Sequence, residues 1–132
     1  MRKLGYIFLV IVFSIVLSAI IKNYLEKDNV AHLSFVLKEH DFDTLRIQED
    51  AEFHFIYENL GKKDLIIEKI TTSCGCTIPY WSNMALPPLN KDSIKVTYDI
   101  ENKGYFIKEI MVYSNSETSP DRLVVKGYVP FD

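Results

Sequence analysis

Eighteen residues in a row, from Leu4 to Ile21, carry no charge: LGYIFLVIVFSIVLSAII. That is close to the ~20 apolar residues a helix needs to cross the hydrocarbon core of a bilayer. Arg2 and Lys3 precede the stretch, the flank expected on the cytoplasmic side. Lys22 and Lys27 follow it, offset by Glu26 and Asp28, so the charge asymmetry across it is small. A secretory signal is the rival reading, but its apolar region is usually shorter, ~7–15 residues, and ends in a small-x-small site. Leu17-Ser18-Ala19 fits such a site poorly, and no cysteine near residue 20 offers a lipid attachment point. A buried core helix is a third alternative. The first two readings both send the remainder out of the cytoplasm. In one it is a single-pass inner-membrane protein, held through residues 4–21, with its C-terminal domain in the periplasm. In the other it is periplasmic or secreted after signal cleavage.

The expected organisation is a signal anchor or signal peptide over 1–22, a polar tether over 23–33 able to continue the helix, and one domain over 34–132. The net charge of −3 and the lack of a basic stripe exclude nucleic acid as a partner, because phosphate binding needs clustered Lys and Arg.

Past the tether, short β-rich runs alternate with Gly and Pro signals, with no second helix and no internal repeat. LSFVLK (33–38) opens the domain. In AEFHFIYE (51–58), Phe53, Phe55 and Tyr57 share one face, while Glu52, His54 and Glu58 share the other. LIIEKITT (65–72) starts with Leu65 and Ile67 in phase, then slips one residue to Ile70, Thr72 and Cys74. Such a slip predicts a β-bulge near Glu68-Lys69. Ile94, Val96 and Tyr98 share a face; so do Phe106, Lys108, Ile110 and Val112, and so do Leu123, Val125 and Val129. The count is about seven strands in about 100 residues, which fits an all-β, immunoglobulin-like sandwich behind one N-terminal helix. The expected core is Phe53, Phe55, Ile67, Ile70, Val96, Tyr98, Ile110, Val112 and Val125, worth ~1.5–3 kcal/mol for each large apolar side chain.

Both cysteines and the single tryptophan lie in TSCGCTIPYW, residues 72–81. In an extended strand Cys74 and Cys76 would share a face with Cβ atoms roughly 6–7 Å apart, twice the rise per residue. A disulfide needs about 3.5–4.5 Å. Gly75 has the conformational freedom to make the bend that closes the gap. A bridge over so short a loop would remove only ~1.5 kcal/mol of unfolded-state entropy, which makes it a poor staple. Three readings of the pair stay open: packed small hydrophobes, a labile disulfide or redox pair, and a weak Cu(I) site in which the Met84 thioether joins the two thiols. Lys108 could reach a thiol or simply run its stem along the core. Tyr80 and Trp81 serve edge packing or a contact surface. No catalytic constellation and no cofactor site is evident: Ser73 has no His partner, and the carboxylates show no pairing.

The segments FHFIYENLGKKDLIIEKITTSCGCTIPYW, SIKVTYDIENKGYFIKEIMVYSN and LVVKGYV resemble the bacterial family catalogued as domain of unknown function 1573, over roughly residues 51–129. Its pattern runs F-x-F, N-x-G, L-x-I, S-C-G-C-T, a Pro-Gly turn, I-x-V-x-Y, then G-x-F-x-K-x-I-x-V-x-S-N. The resemblance implies an immunoglobulin-like fold in an exported, membrane-anchored envelope protein, and it implies no reaction. Where the family has Pro-Gly, this chain has Pro88-Leu89-Asn90, and Asn90 is the residue expected to take the left-handed conformation. The functional expectation is an interaction or structural module with an unidentified envelope protein as partner. The alternative is a thiol–disulfide or Cu(I)-handling protein acting through Cys74 and Cys76.

Overall fold

An uninterrupted apolar run without proline favours one long helix, and α1 spans Arg2–Lys27 in the computed structural model, which describes residues 1–27 and 29–131. At 1.5 Å per residue its length is about 39 Å. Its apolar side chains are exposed on every side, so the helix has no polar face. It continues five residues past the expected end at 22. The chain divides into two compact units, residues 1–30 and 31–132. Ala31, expected in the tether, is buried in the β unit, as is Leu33 at the expected boundary.

Among the described residues eight strands make up that unit, against the expected count of about seven and the six runs read individually: β1 (Leu33–Phe35), β2 (Glu39–Thr44), β3 (Glu52–Asn59), β4 (Ile67–Thr72), β5 (Thr77–Tyr80), β6 (Lys91–Tyr98), β7 (Gly104–Ser114) and β8 (Asp121–Val129). One sheet has the order β1-β3-β6-β5 and the other β2-β8-β7-β4. All pairings are antiparallel except β2 with β8. The period-2 alternation of β3 puts Phe55 and Tyr57 in the core, with Phe53 packed at its margin. The phase slip in β4 is a register shift between Ile67 and Lys69, where the chain gains the extra residue of a bulge.

Residues from both sheets share one apolar cluster. Phe55, Ile94 and Val96 come from the first sheet; Ile110, Val112, Leu123 and Val125 come from the second. Phe106 stacks on Tyr98 with ring centroids 3.6 Å apart and lies directly across from Gly127 of β8. A Cβ at Gly127 would come within 2.9 Å of that ring, so the packing requires a residue without a side chain there.

Asn59, at the end of β3, is fully buried and its side chain makes four hydrogen bonds. Its Oδ1 accepts from the amides of His32 (3.3 Å) and Gly61 (3.0 Å), and its Nδ2 donates to the carbonyls of Lys63 (2.8 Å) and Leu86 (2.9 Å). One amide group thereby ties the start of β1, the β3–β4 turn and the β5–β6 loop together. In that loop the left-handed residue is Leu89, with φ +63°, and not Asn90. Asn90 donates its amide to Pro87 O at 3.2 Å, closing a four-residue turn with Leu89 in third place. That is the position where a type II turn, with proline in second place as Pro88 is here, demands positive φ.

Candidate functional site

The Cys-Gly-Cys segment is the crossover from one sheet to the other. The last β4 pair sets Thr72 opposite Ile110 of β7. Ser73 leaves strand geometry but stays fastened to β7: its amide donates to Glu109 O at 3.1 Å, and the Glu109 amide donates to Ser73 Oγ at 3.2 Å. The Glu109 carboxylate pairs with Arg122, whose hydrogen bond and charge hold its pKa below the ordinary glutamate value. Thr72 Oγ1 donates to Cys74 O at 2.8 Å. At the far end, Cys76 O accepts from the amide of Asp99 at 2.8 Å. The next residue, Thr77, begins β5 opposite Tyr98 of β6.

The two cysteines form a disulfide with their Cα atoms 5.4 Å apart. The chain is bent from Ser73 to Cys76 rather than extended, which removes the distance that strand geometry would impose. Glycine's special freedom is not what permits this. The φ of Gly75 lies outside the left-handed region, and a Cβ built there would meet open space. Both cysteines are half-buried, and Cys76 packs against the apolar core. Thr77, only 2% exposed, places its Oγ1 4.0 Å from Cys74 Sγ.

The other expected residues are spread around this crossover. Lys108 is half-buried on the inward-facing phase of β7, opposite Val125 of β8 and two residues from the last β4–β7 pair, Thr72 with Ile110. Trp81 packs against the core, and its Nε1 is buried without a hydrogen-bond partner. With His54, Tyr80, Met84 and Lys95 it lines a groove of about 430 Å³ beside β5. Tyr80 and Met84 are 71% and 76% exposed. The lining of the groove includes Met84 but not the cysteines, and the bonded sulfurs offer no thiolate. Among the described residues, no three His, Cys, Asp or Glu side chains gather as a metal site would require. Thr77 and Ser73 were not legible as site residues from spacing. Their only signal was that two small hydroxylated residues flank the pair.

Pro79 fits its place in β5. The Asp99–Cys76 bond sets the hydrogen-bonding phase, which leaves the proline nitrogen on the side of the strand facing away from β6, where its missing N–H costs the ladder nothing.

The geometry defines a class: a two-sheet β domain with a disulfide-bonded Cys-Gly-Cys at the crossover between sheets. The chain belongs to the family described as protein of unknown function DUF1573, whose model matches residues 33–129. No curated protein matches it in sequence. Among solved structures it is similar to a protein of unknown function from Porphyromonas gingivalis W83, with a TM-score of 0.65 and 14% identity over 76% of this chain and 48% of that one. It is also similar to PapD-like domain 7 of human CEP192, with a TM-score of 0.65 and 12% identity over 79% of this chain and 89% of that domain. The periplasmic chaperone SfaE aligns with a TM-score of 0.55 and 4% identity over 76% of this chain and 60% of the chaperone. These likenesses are of fold.

Proposed function

We propose that this chain is a membrane-anchored module of the bacterial envelope that binds other proteins. In this reading α1 sits in the inner membrane through residues 4–21, uncleaved, and an immunoglobulin-like β domain stands on the periplasmic side. The observation that carries the reading is α1 itself: a helix with an apolar window of mean hydropathy 2.8, whose large apolar side chains are exposed, followed by a unit with a core of its own. The likeness to a periplasmic chaperone supports an exported binding domain of this fold, by analogy. Contacts come from exposed sheet edges and loops, including the groove beside β5 with its exposed Tyr80 and Met84. The test is a photo-crosslinking residue at Tyr80 of the full chain in intact cells. A discrete adduct with another envelope protein is expected; the absence of any adduct, or an adduct with a cytosolic protein, overturns the reading.

The bonded Cys74–Cys76 pair favours a second reading, thiol–disulfide exchange. Its three-residue loop contributes only ~1.5 kcal/mol of chain entropy, too little to make structural stapling its main use.

A further inference from the structure

The backbone on either side of the bridge is held by bonds that do not involve sulfur. Ser73 is fastened twice to Glu109, and Cys76 O is bonded to the amide of Asp99. Opening the S–S bond therefore leaves the crossover in place. Gly75 is exposed, with no atom near the position of a Cβ, so an incoming sulfur has room beside the pair. Exposure does not distinguish the two sulfurs, since both cysteines are half-buried. Their surroundings do. Cys76 packs against the apolar core, which disfavours a thiolate. Cys74 Sγ lies beside the hydroxyl of buried Thr77, a donor that strengthens once the sulfur carries charge. In thiol–disulfide exchange the sulfur better able to hold negative charge is the better leaving group.

We infer that an external thiol attacks this bridge at Cys76, with Cys74 as the leaving sulfur and Thr77 as the positioning residue that stabilises it. The inference rests on the exchange reading of the pair. The incoming thiolate forms a bond to Cys76 Sγ as the Sγ–Sγ bond breaks, and the electron pair leaves on Cys74 Sγ, where the Thr77 hydroxyl donates to it. A second thiol of the same class then attacks the external sulfur of the mixed disulfide and releases the Cys76 thiolate. Two external thiols are oxidised to one disulfide, and the protein gains two electrons as a dithiol. The steps run in reverse when an external disulfide is reduced.

The experiment uses the oxidised full chain in detergent micelles with reduced glutathione at neutral pH, quenched with excess N-ethylmaleimide and read by tandem mass spectrometry. The expected product carries glutathione on Cys76 and maleimide on Cys74. Glutathione on Cys74, or an equal mixture, overturns the inference and leaves the exchange reading intact. If no adduct forms until the protein is unfolded in urea, both fail. Thr77→Val should slow adduct formation about three- to tenfold, in line with the loss of one hydrogen bond of ordinary strength to a sulfur only partly charged in the transition state, and Thr77→Ser should restore it. In the Cys76→Ser background, Thr77→Val should also raise the pH at which the Cys74 thiolate appears in the ultraviolet. A folded Thr77→Val protein with unchanged rate and unchanged thiolate titration overturns the role of Thr77.

Discussion

Leu89 donates its amide to the carbonyl of Asn59 across 2.8 Å while holding a φ of +63°. That bond fixes the β5–β6 loop against the end of β3, and it keeps a γ-branched side chain in the left-handed region, which costs roughly 1–2 kcal/mol. The Leu89 side chain is 73% exposed, so little burial repays the strain. Leu89→Gly removes the clash and adds some freedom to the unfolded chain. The net expectation is a gain of about 0.5–1 kcal/mol, seen as a higher urea midpoint with an unchanged slope. A lower midpoint would contradict this account of the turn.

The Asn59 side chain satisfies four backbone groups inside the domain. Asn59→Ala leaves the His32 and Gly61 amides and the Lys63 and Leu86 carbonyls without these partners. A loss of about 2–5 kcal/mol is expected, at ~0.5–1.5 kcal/mol for each of the four hydrogen bonds, the Leu86 carbonyl keeping its bond from the Leu65 amide. Urea unfolding measures it, and a loss under 1 kcal/mol would show that the loops are held otherwise.

For the cysteine pair the expected stability effect is small. Replacing both Cys74 and Cys76 by alanine should cost about 1.5–3 kcal/mol, the lost loop entropy plus the packing of Cys76, with the β-type circular dichroism retained. Gly75→Ala should change stability by less than about 0.5 kcal/mol, because neither backbone conformation nor space demands glycine there. Unfolding of either variant would make the crossover a structural staple after all.

Tyr57 carries a prediction for alkaline pH. Burial, reinforced by Asp92 directly opposite on β6, pushes its pKa from 10 up to about 12. The folded state resists ionisation and the unfolded state does not, so this contribution is intact below pH 10. It is lost as pH rises from 10 to about 12, by roughly 2–3 kcal/mol over the window. Urea midpoints at several alkaline pH values should fall more steeply for the parent chain than for Tyr57→Phe. Equal slopes would show that Tyr57 ionises freely in the folded state.

What could be read from the sequence tracks periodicity. The alternation in β3, the phase slip that becomes the β4 bulge, and the inward faces of β6, β7 and β8 were all visible, because strands half-buried on one face write their pattern every second residue. β2 was not visible. EHDFDT is an edge strand with Phe42 as its only buried residue, paired in parallel to a strand some eighty residues on, so its acidic composition hides it. β5 was missed because Pro79 reads as a breaker, and only the hydrogen-bonding phase shows that its nitrogen faces away from β6. The burial of Asn59 depends on three segments that meet only in the folded chain, so spacing does not show it. The same holds for Thr77, whose proximity to Cys74 follows from the bend at the crossover. Intrinsic preference points to Asn90 as the left-handed residue, whereas the bonds from Asn90 to Pro87 and from Leu89 to Asn59 put it one position earlier.

The measurement that bears most directly on the account is protease accessibility of the full chain in cells whose outer membrane has been permeabilised while the inner membrane stays sealed. The account predicts that added protease destroys the β domain and leaves a membrane-embedded fragment containing residues 4–21. A β domain that stays protected until the inner membrane is lysed, or a chain recovered whole in the cytosolic fraction, would contradict it.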